Sequence, residues 1–152
     1  MTEIDAVKDV KTLLTAKWLK ANTDDATPIF IHSYDELDTN NATRVSAGSR
    51  DMIRVYENSD ERRVSAGVGV RRMERHHFVT IDLFSGTSKI HALKSKQEII
   101  RIIETNISAP SSSFQYIIPD YTVKNFSGVQ YQRLWRWAFD IEMATYSVAL
   151  GG

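Results

Sequence analysis

The chain has 152 residues, 42% of them hydrophobic and 25% charged, which is enough apolar length for one core and a globular composition rather than that of a disordered chain. Nineteen basic and nineteen acidic side chains give a formal net charge of zero, unlike the strongly basic balance of a dedicated duplex-binding domain. Cysteine is absent, so disulfides, thiolate metal sites and a cysteine nucleophile are excluded, and a reducing compartment fits.

Met1-Thr2-Glu3-Ile4-Asp5 lacks the basic stretch and apolar core of a secretory signal. The apolar runs are only a few residues long, far short of a bilayer span. The expectation is a single domain over residues 1–152 in an aqueous interior.

Ile4, Val7, Val10, Leu14 and Trp18 recur at spacings of three and four and predict an amphipathic first helix, with Thr2 and Asp5 as its capping pair. Residues 29–32, entered through Pro28, read as a short strand. The stretch 35–50 is polar and predicts a long loop, functional or mobile, and a candidate to become ordered on assembly. A second strand is expected over 52–56. Turn residues follow at 58–61, and a third strand runs through Val64, Val68 and Val70.

Arg71-Arg72-Met73-Glu74-Arg75 interrupts that apolar pattern before His77, Val79, Ile81 and Leu83 alternate. This leaves two readings, one long bent strand or two strands meeting at a charged bulge. Ser95 and Glu98 have capping-box spacing and predict a second helix over 95–106, with Ile99, Ile100, Ile103 and Ile107 on one face.

Strand candidates follow at 114–118 and 121–126, separated by Pro119. The strongest pattern comes last. Tyr131, Trp135, Trp137, Phe139, Ile141 and Met143 fall on one side of a period of two, and Gln132, Arg136, Asp140 and Glu142 on the other. The stripe predicts packing against the helices, with any overhang packing on a neighbour. The order of elements predicts an α+β fold, a mostly antiparallel sheet with two main helices packed on one face.

Motifs for chemistry are sparse. His76 and His77 are adjacent on a strand, so they point to opposite faces and cannot chelate one ion. Asp82 followed by Lys89 and Lys94 invites comparison with metal-dependent nucleases. Those enzymes need a second carboxylate two residues before the lysine, where this chain has Thr87 and Ala92. Asp82 is therefore expected at a strand edge or subunit contact. Gly67-Val68-Gly69 lacks the remainder of a phosphate loop, and Ser85 has glycine on one side only. Arg71, Arg72 and Arg75 make either a solvated bend balanced by nearby acids or a patch that meets nucleic acid or an acidic partner. The aromatic stripe has a second reading too, as a base-stacking platform.

Taken together, the first helix, the strand at 29–31, the polar loop, the strand ending in His77-Phe78-Val79-Thr80-Ile81-Asp82-Leu83, the second helix and the aromatic strand at 131–143 form a layout. That layout resembles the tail-terminator (tail-completion) proteins of long-tailed bacteriophages and archaeal tailed viruses. The resemblance spans nearly the whole chain and lies in the plan of elements, so no functional residue is carried over from it. It implies a structural virion protein, assembled in the host cytoplasm, with no catalytic residue, metal or cofactor. The protein would form a homo-oligomeric ring, typically a hexamer, that caps the tail tube and joins tail to neck. Its partners would be the tail tube protein and a neck or connector protein, and DNA would pass through its lumen without specific binding. A neck or head-completion connector is the alternative nearest to this reading. A small single-stranded nucleic-acid-binding module and a nuclease centred on Asp82 are the others. The interface candidates are Asp35, Asn40, Arg44, Arg50, Arg71, Arg72, Arg75, Asp82 and Arg136.

Overall fold

A computed structural model describes residues 5–23, 30–33, 52–58, 61–65, 72–85, 88–111, 113–127 and 135–148. Among them the elements in chain order are α1 (Ala6–Lys17), α2 (Lys20–Thr23), β1 (Phe30–Ser33), β2 (Met52–Glu57), β3 (Arg62–Ser65) and β4 (Arg72–Ser85). There follow α3 (Lys89–Thr105), β5 (Tyr116–Ile117), β6 (Thr122–Asn125) and β7 (Trp135–Val148). No helix among the described residues is long and apolar enough to cross a membrane.

The strands form one seven-stranded sheet, antiparallel throughout except where β1 runs parallel to β2. Its spine is the β4–β7 pair. The two strands run in unbroken register from Arg72↔Val148 to Ser85↔Trp135. At about 3.4 Å per residue that ribbon is roughly 45 Å long. Neither reading of the Arg71–Arg75 region holds as stated: β4 is continuous from Arg72, and β3 is a separate strand that pairs antiparallel with it, from Arg62↔His76 to Ser65↔Met73, rather than running on into it or meeting it at a bulge. One outer edge of the ribbon carries β2 and then β3, and the other carries β6 and then β5. Pro119, which has no N–H to give to a ladder, lies between the two short strands.

The period of two in β4 and β7 sorts side chains onto two faces. Val79, Ile81 and Leu83 join Trp137, Phe139, Ile141 and Met143 on one face, together with Ile53 and Val55 of β2. Val10, Leu13 and Leu14 of α1 and Ile99, Ile102 and Ile103 of α3 cover them. The α+β arrangement with two main helices on one face of the sheet is therefore present. The aromatic stripe of β7 is interior: Trp137 and Phe139 are buried, and Trp135 packs partly against the core.

The helix starts differ from expectation. In α1 the cap is Asp5, whose side chain accepts the N–H of Lys8 at 3.1 Å, while Thr2 lies outside the described residues. The helix stops at Lys17 because Trp18 is extended, and α2 then forms a separate short turn. The cap of α3 is Ser88, which accepts the N–H of His91, so the helix begins six residues before Ser95. Ser95 and Glu98 are both buried within it, and neither caps it.

Glu98 ties the helical layer together. Its carboxylate accepts the N–H of Leu19 at 2.7 Å and the amide of Asn22 at 2.9 Å. Arg101 closes on both of its oxygens at 2.7 and 2.8 Å and also donates to the Lys17 carbonyl. One buried acid thus joins the end of α1, α2 and the middle of α3. Burial pushes the Glu98 carboxyl up, but the bonds from Arg101, Asn22 and Leu19 outweigh it and hold the group below the usual carboxylate range.

Candidate functional site

The opposite face of the sheet has a different composition. Register places Tyr56, Thr80, Asp140 and Thr122 in one row across β2, β4, β7 and β6. The next row holds Arg54, Asp82, Ala138 and Lys124, and the one after it Met52, Phe84 and Arg136. Among the described residues no helix packs on this face.

At its centre Asp82, 2% exposed, receives Arg136 side-on, Nε to Oδ1 at 3.0 Å and Nη2 to Oδ2 at 2.8 Å. The planar guanidinium matches a carboxylate in this two-bond geometry, which is among the stronger charge-assisted arrangements. Arg136 also lies over the rings of Phe84, at 4.8 Å, and Phe126, at 5.3 Å, and Arg54 lies over Phe84 as well, at 4.8 Å. The result is an alternating ladder of cations and rings.

Asp140 anchors the neighbouring row. It accepts from the Thr80 hydroxyl at 2.7 Å and from Asn58 at 3.3 Å, and pairs with Lys124 Nζ at 2.9 Å. Burial raises its pKa, but the bonds from Thr80, Lys124 and Asn58 prevail and hold the carboxyl below its ordinary value. Tyr56 is shifted the other way, its phenol raised by burial and by the charge of Asp82. A groove of about 520 Å³ opens beside this row, lined by Tyr56, Phe78, Lys124, Phe126, Asp140 and Glu142 among others.

Farther out on the ribbon, His76 and His77 do face opposite ways. His76 joins Glu142 through Nδ1 and Glu74 through Nε2, the latter at 3.0 Å. The Tyr116 hydroxyl also donates to Glu74, which raises the phenol's pKa well above normal. His77 is buried with its ring edge on Phe114, 5.3 Å between centroids, and its Nδ1 lies 3.3 Å from Glu57. Among the described residues no three His, Asp or Glu side chains are arranged to hold a metal ion.

The interface candidates therefore separate into three groups. Asp35, Asn40, Arg44, Arg50 and Arg71 lie outside the described residues, as does the side chain of Arg72. Arg75 is taken up by Glu61, whose carboxyl that contact holds below its usual range. Asp82 and Arg136, expected as separate contacts, are each other's partners. Asp82 is also not at a strand edge, because β4 has β2 on one side and β7 on the other. With both carboxylate oxygens occupied by Arg136, Asp82 has the environment of a structural ion pair rather than that of a metal ligand. The base-stacking reading loses its platform, since Trp137 lies in the core. The sequence reading missed Arg54, Asn58, Thr80, Phe84, Lys124 and Phe126. The only signal of Arg54, Thr80, Phe84 and Lys124 was a position opposite the apolar residues in each strand's alternation, while Asn58 and Phe126 fall just beyond strand ends.

No protein-family model matches the chain, and no curated protein matches its sequence.

Proposed function

We propose that this chain is a structural ring subunit of a viral tail, capping the tail tube and joining it to the neck. The observation that carries the proposal is the uneven dressing of the sheet. One face lies under two helices, and the other bears a cation–ring ladder, neutralised carboxylates and a groove with no helix on it among the described residues. At the centre of that face Asp82 is held by Arg136, and Asp140 by Lys124 and the Thr80 hydroxyl. Rings and guanidinium groups on a firm sheet are the side chains enriched where protein surfaces meet. The order of elements and the long final strand support the same role.

A neck or head-completion connector would use the same architecture and differ only in the partner it meets. The proposal is tested by the mass of the native assembly across a range of protein concentrations, followed by electron microscopy of tail tubes mixed with the protein. Closed rings seated on tube ends support the tail-terminator role, and rings that bind neck components but ignore tubes move the assignment to the connector. A strict monomer at high concentration overturns both.

A further inference from the structure

We propose that the corner formed by residues 18–23, which carries α2, is a strap hinged on the end of α1 and fastened to α3 by the single charge of Glu98. When that charge is removed, the strap opens as a unit while the sheet stays folded. This device lies on the helical side of the sheet and stands apart from the ring reading.

The corner has little packing of its own to hold it. Helix α1 ends where Trp18 turns extended, and α2 has four residues, too few to be stable alone. Leu19, Lys20, Ala21 and Asn22 are exposed, whereas Thr23 is buried and Trp18 half-buried against the core. The Thr23 hydroxyl turns back to the Lys20 carbonyl, at 3.2 Å, and so ties the corner to itself. The Trp18 indole N–H is buried without an acceptor, a cost borne by the closed state. A cleft of about 530 Å³ runs beside Asn22 along α3, past Ile90, Leu93 and Gln97, so the strap is not closely packed on that side. Segments with few buried apolar contacts are the ones that open locally, below the free energy of global unfolding.

The fastening is polar and converges on one group. Among the described residues, each hydrogen bond from the corner to α3 ends on Glu98. They are the Leu19 N–H at 2.7 Å and the Asn22 amide at 2.9 Å. Arg101 holds both oxygens of the same carboxylate and also the Lys17 carbonyl, at 2.7 Å, so the hinge is fixed through the same acid. Glu98 is 1% exposed, and a carboxylate so enclosed is stable because these donors surround it. A neutral group at this position accepts the same bonds more weakly, since charge-assisted bonds are the stronger kind.

The other charged side chains that α1, α2 and α3 bring to this end of the layer are basic: Lys17, Lys20, Lys94 and Arg101. Burial raises the Glu98 carboxyl, but the bonds from Arg101, Asn22 and Leu19 prevail and keep it below the usual range. The strap is therefore held at and above the ordinary carboxylate range and is released as pH falls through the lowered value.

The test is amide hydrogen exchange followed by NMR on the full chain, with the Leu19 amide as reporter and the amides of β4 as reference. In the wild type at neutral pH, Leu19 is expected to exchange through a local opening that needs less denaturant sensitivity than β4 shows. On acidification the signals of residues 18–23 are expected to move to unfolded positions while β4 remains protected. Glu98→Gln should bring the same release at neutral pH, with Leu19 exchanging about 30-fold faster or more. Asn22→Ala, at an exposed position, removes one tie and keeps the charge, and should speed Leu19 exchange about fivefold. It decides the matter if Glu98→Gln does not fold. Leu19 exchanging in the wild type only together with β4 overturns the strap. So does native position and protection of the corner in Glu98→Gln, or an unchanged Leu19 rate in Asn22→Ala.

Discussion

The two faces of β4 and β7 are built from alternate residues of the same strands, yet they are held by different forces. On the helix side Val79, Ile81, Phe139 and Ile141 are buried and apolar, and the stabilisation scales with area withdrawn from water. On the other side Thr80 and Asp82 are as enclosed, Arg136 and Asp140 only half-buried, and all four are held by directed bonds. The lesson is that neighbouring positions one residue apart respond to opposite kinds of change. Apolar packing is sensitive to lost volume and indifferent to pH, while the paired charges tolerate shape change better than the loss of one partner.

The largest effect expected from this contrast is on the helix side. Phe139→Ala leaves a cavity beneath both helices and should lower unfolding free energy by about 3–5 kcal/mol, measured by urea denaturation with an unchanged slope. Next is the carboxylate inside the helical layer. Glu98→Gln keeps the shape but removes the charge that Arg101, Asn22 and Leu19 address, and should cost about 2–3 kcal/mol at neutral pH. The folded-state pKa of Glu98 is lowered, so its contribution is present above the ordinary carboxylate range and is lost as pH falls through the folded value. The wild type should therefore lose more stability than the variant as pH falls below the ordinary carboxylate range. Equal acid slopes for the two proteins would show that Glu98 is not the group responsible.

The smallest effect concerns the open face and sharpens the contrast most. Asp82→Ala and Arg136→Ala should each destabilise the protein, and their double-mutant cycle should give a coupling of about 1–2 kcal/mol, since Arg136 keeps 27% of its side chain in solvent. A coupling indistinguishable from zero would mean that this face is held by its rings, Phe84 and Phe126, rather than by its charges.

Much of the fold was legible because the sheet writes its two faces into a period of two. The β7 stripe and the run from His77 to Leu83 needed no partner to be recognised as strands. The start of α3 was misread for a physical reason. Its buried face begins with Ala92 and Ser95, small residues that pack closely beneath the helix and carry little apolar signal. The serine three residues before Glu98 then imitated a cap, while the real one, Ser88, precedes a stretch rich in lysine. The Asp82–Arg136 pair was out of reach. Both residues drew attention separately, but they are 54 positions apart and only the β4–β7 register brings them together. The same holds for Asn58, Thr80 and Asp140, which come from three different parts of the chain.

The unbroken β4–β7 ladder also limits how the molecule can yield under load. In a ribbon of strict alternation, sliding one strand by a single residue would bring Asp140 beneath the helices and turn Phe139 out into water. A one-residue slip, the smallest step by which a long ribbon could relax when pulled or twisted, is therefore closed to it, because every buried ring and every paired charge along the strand would change face at once.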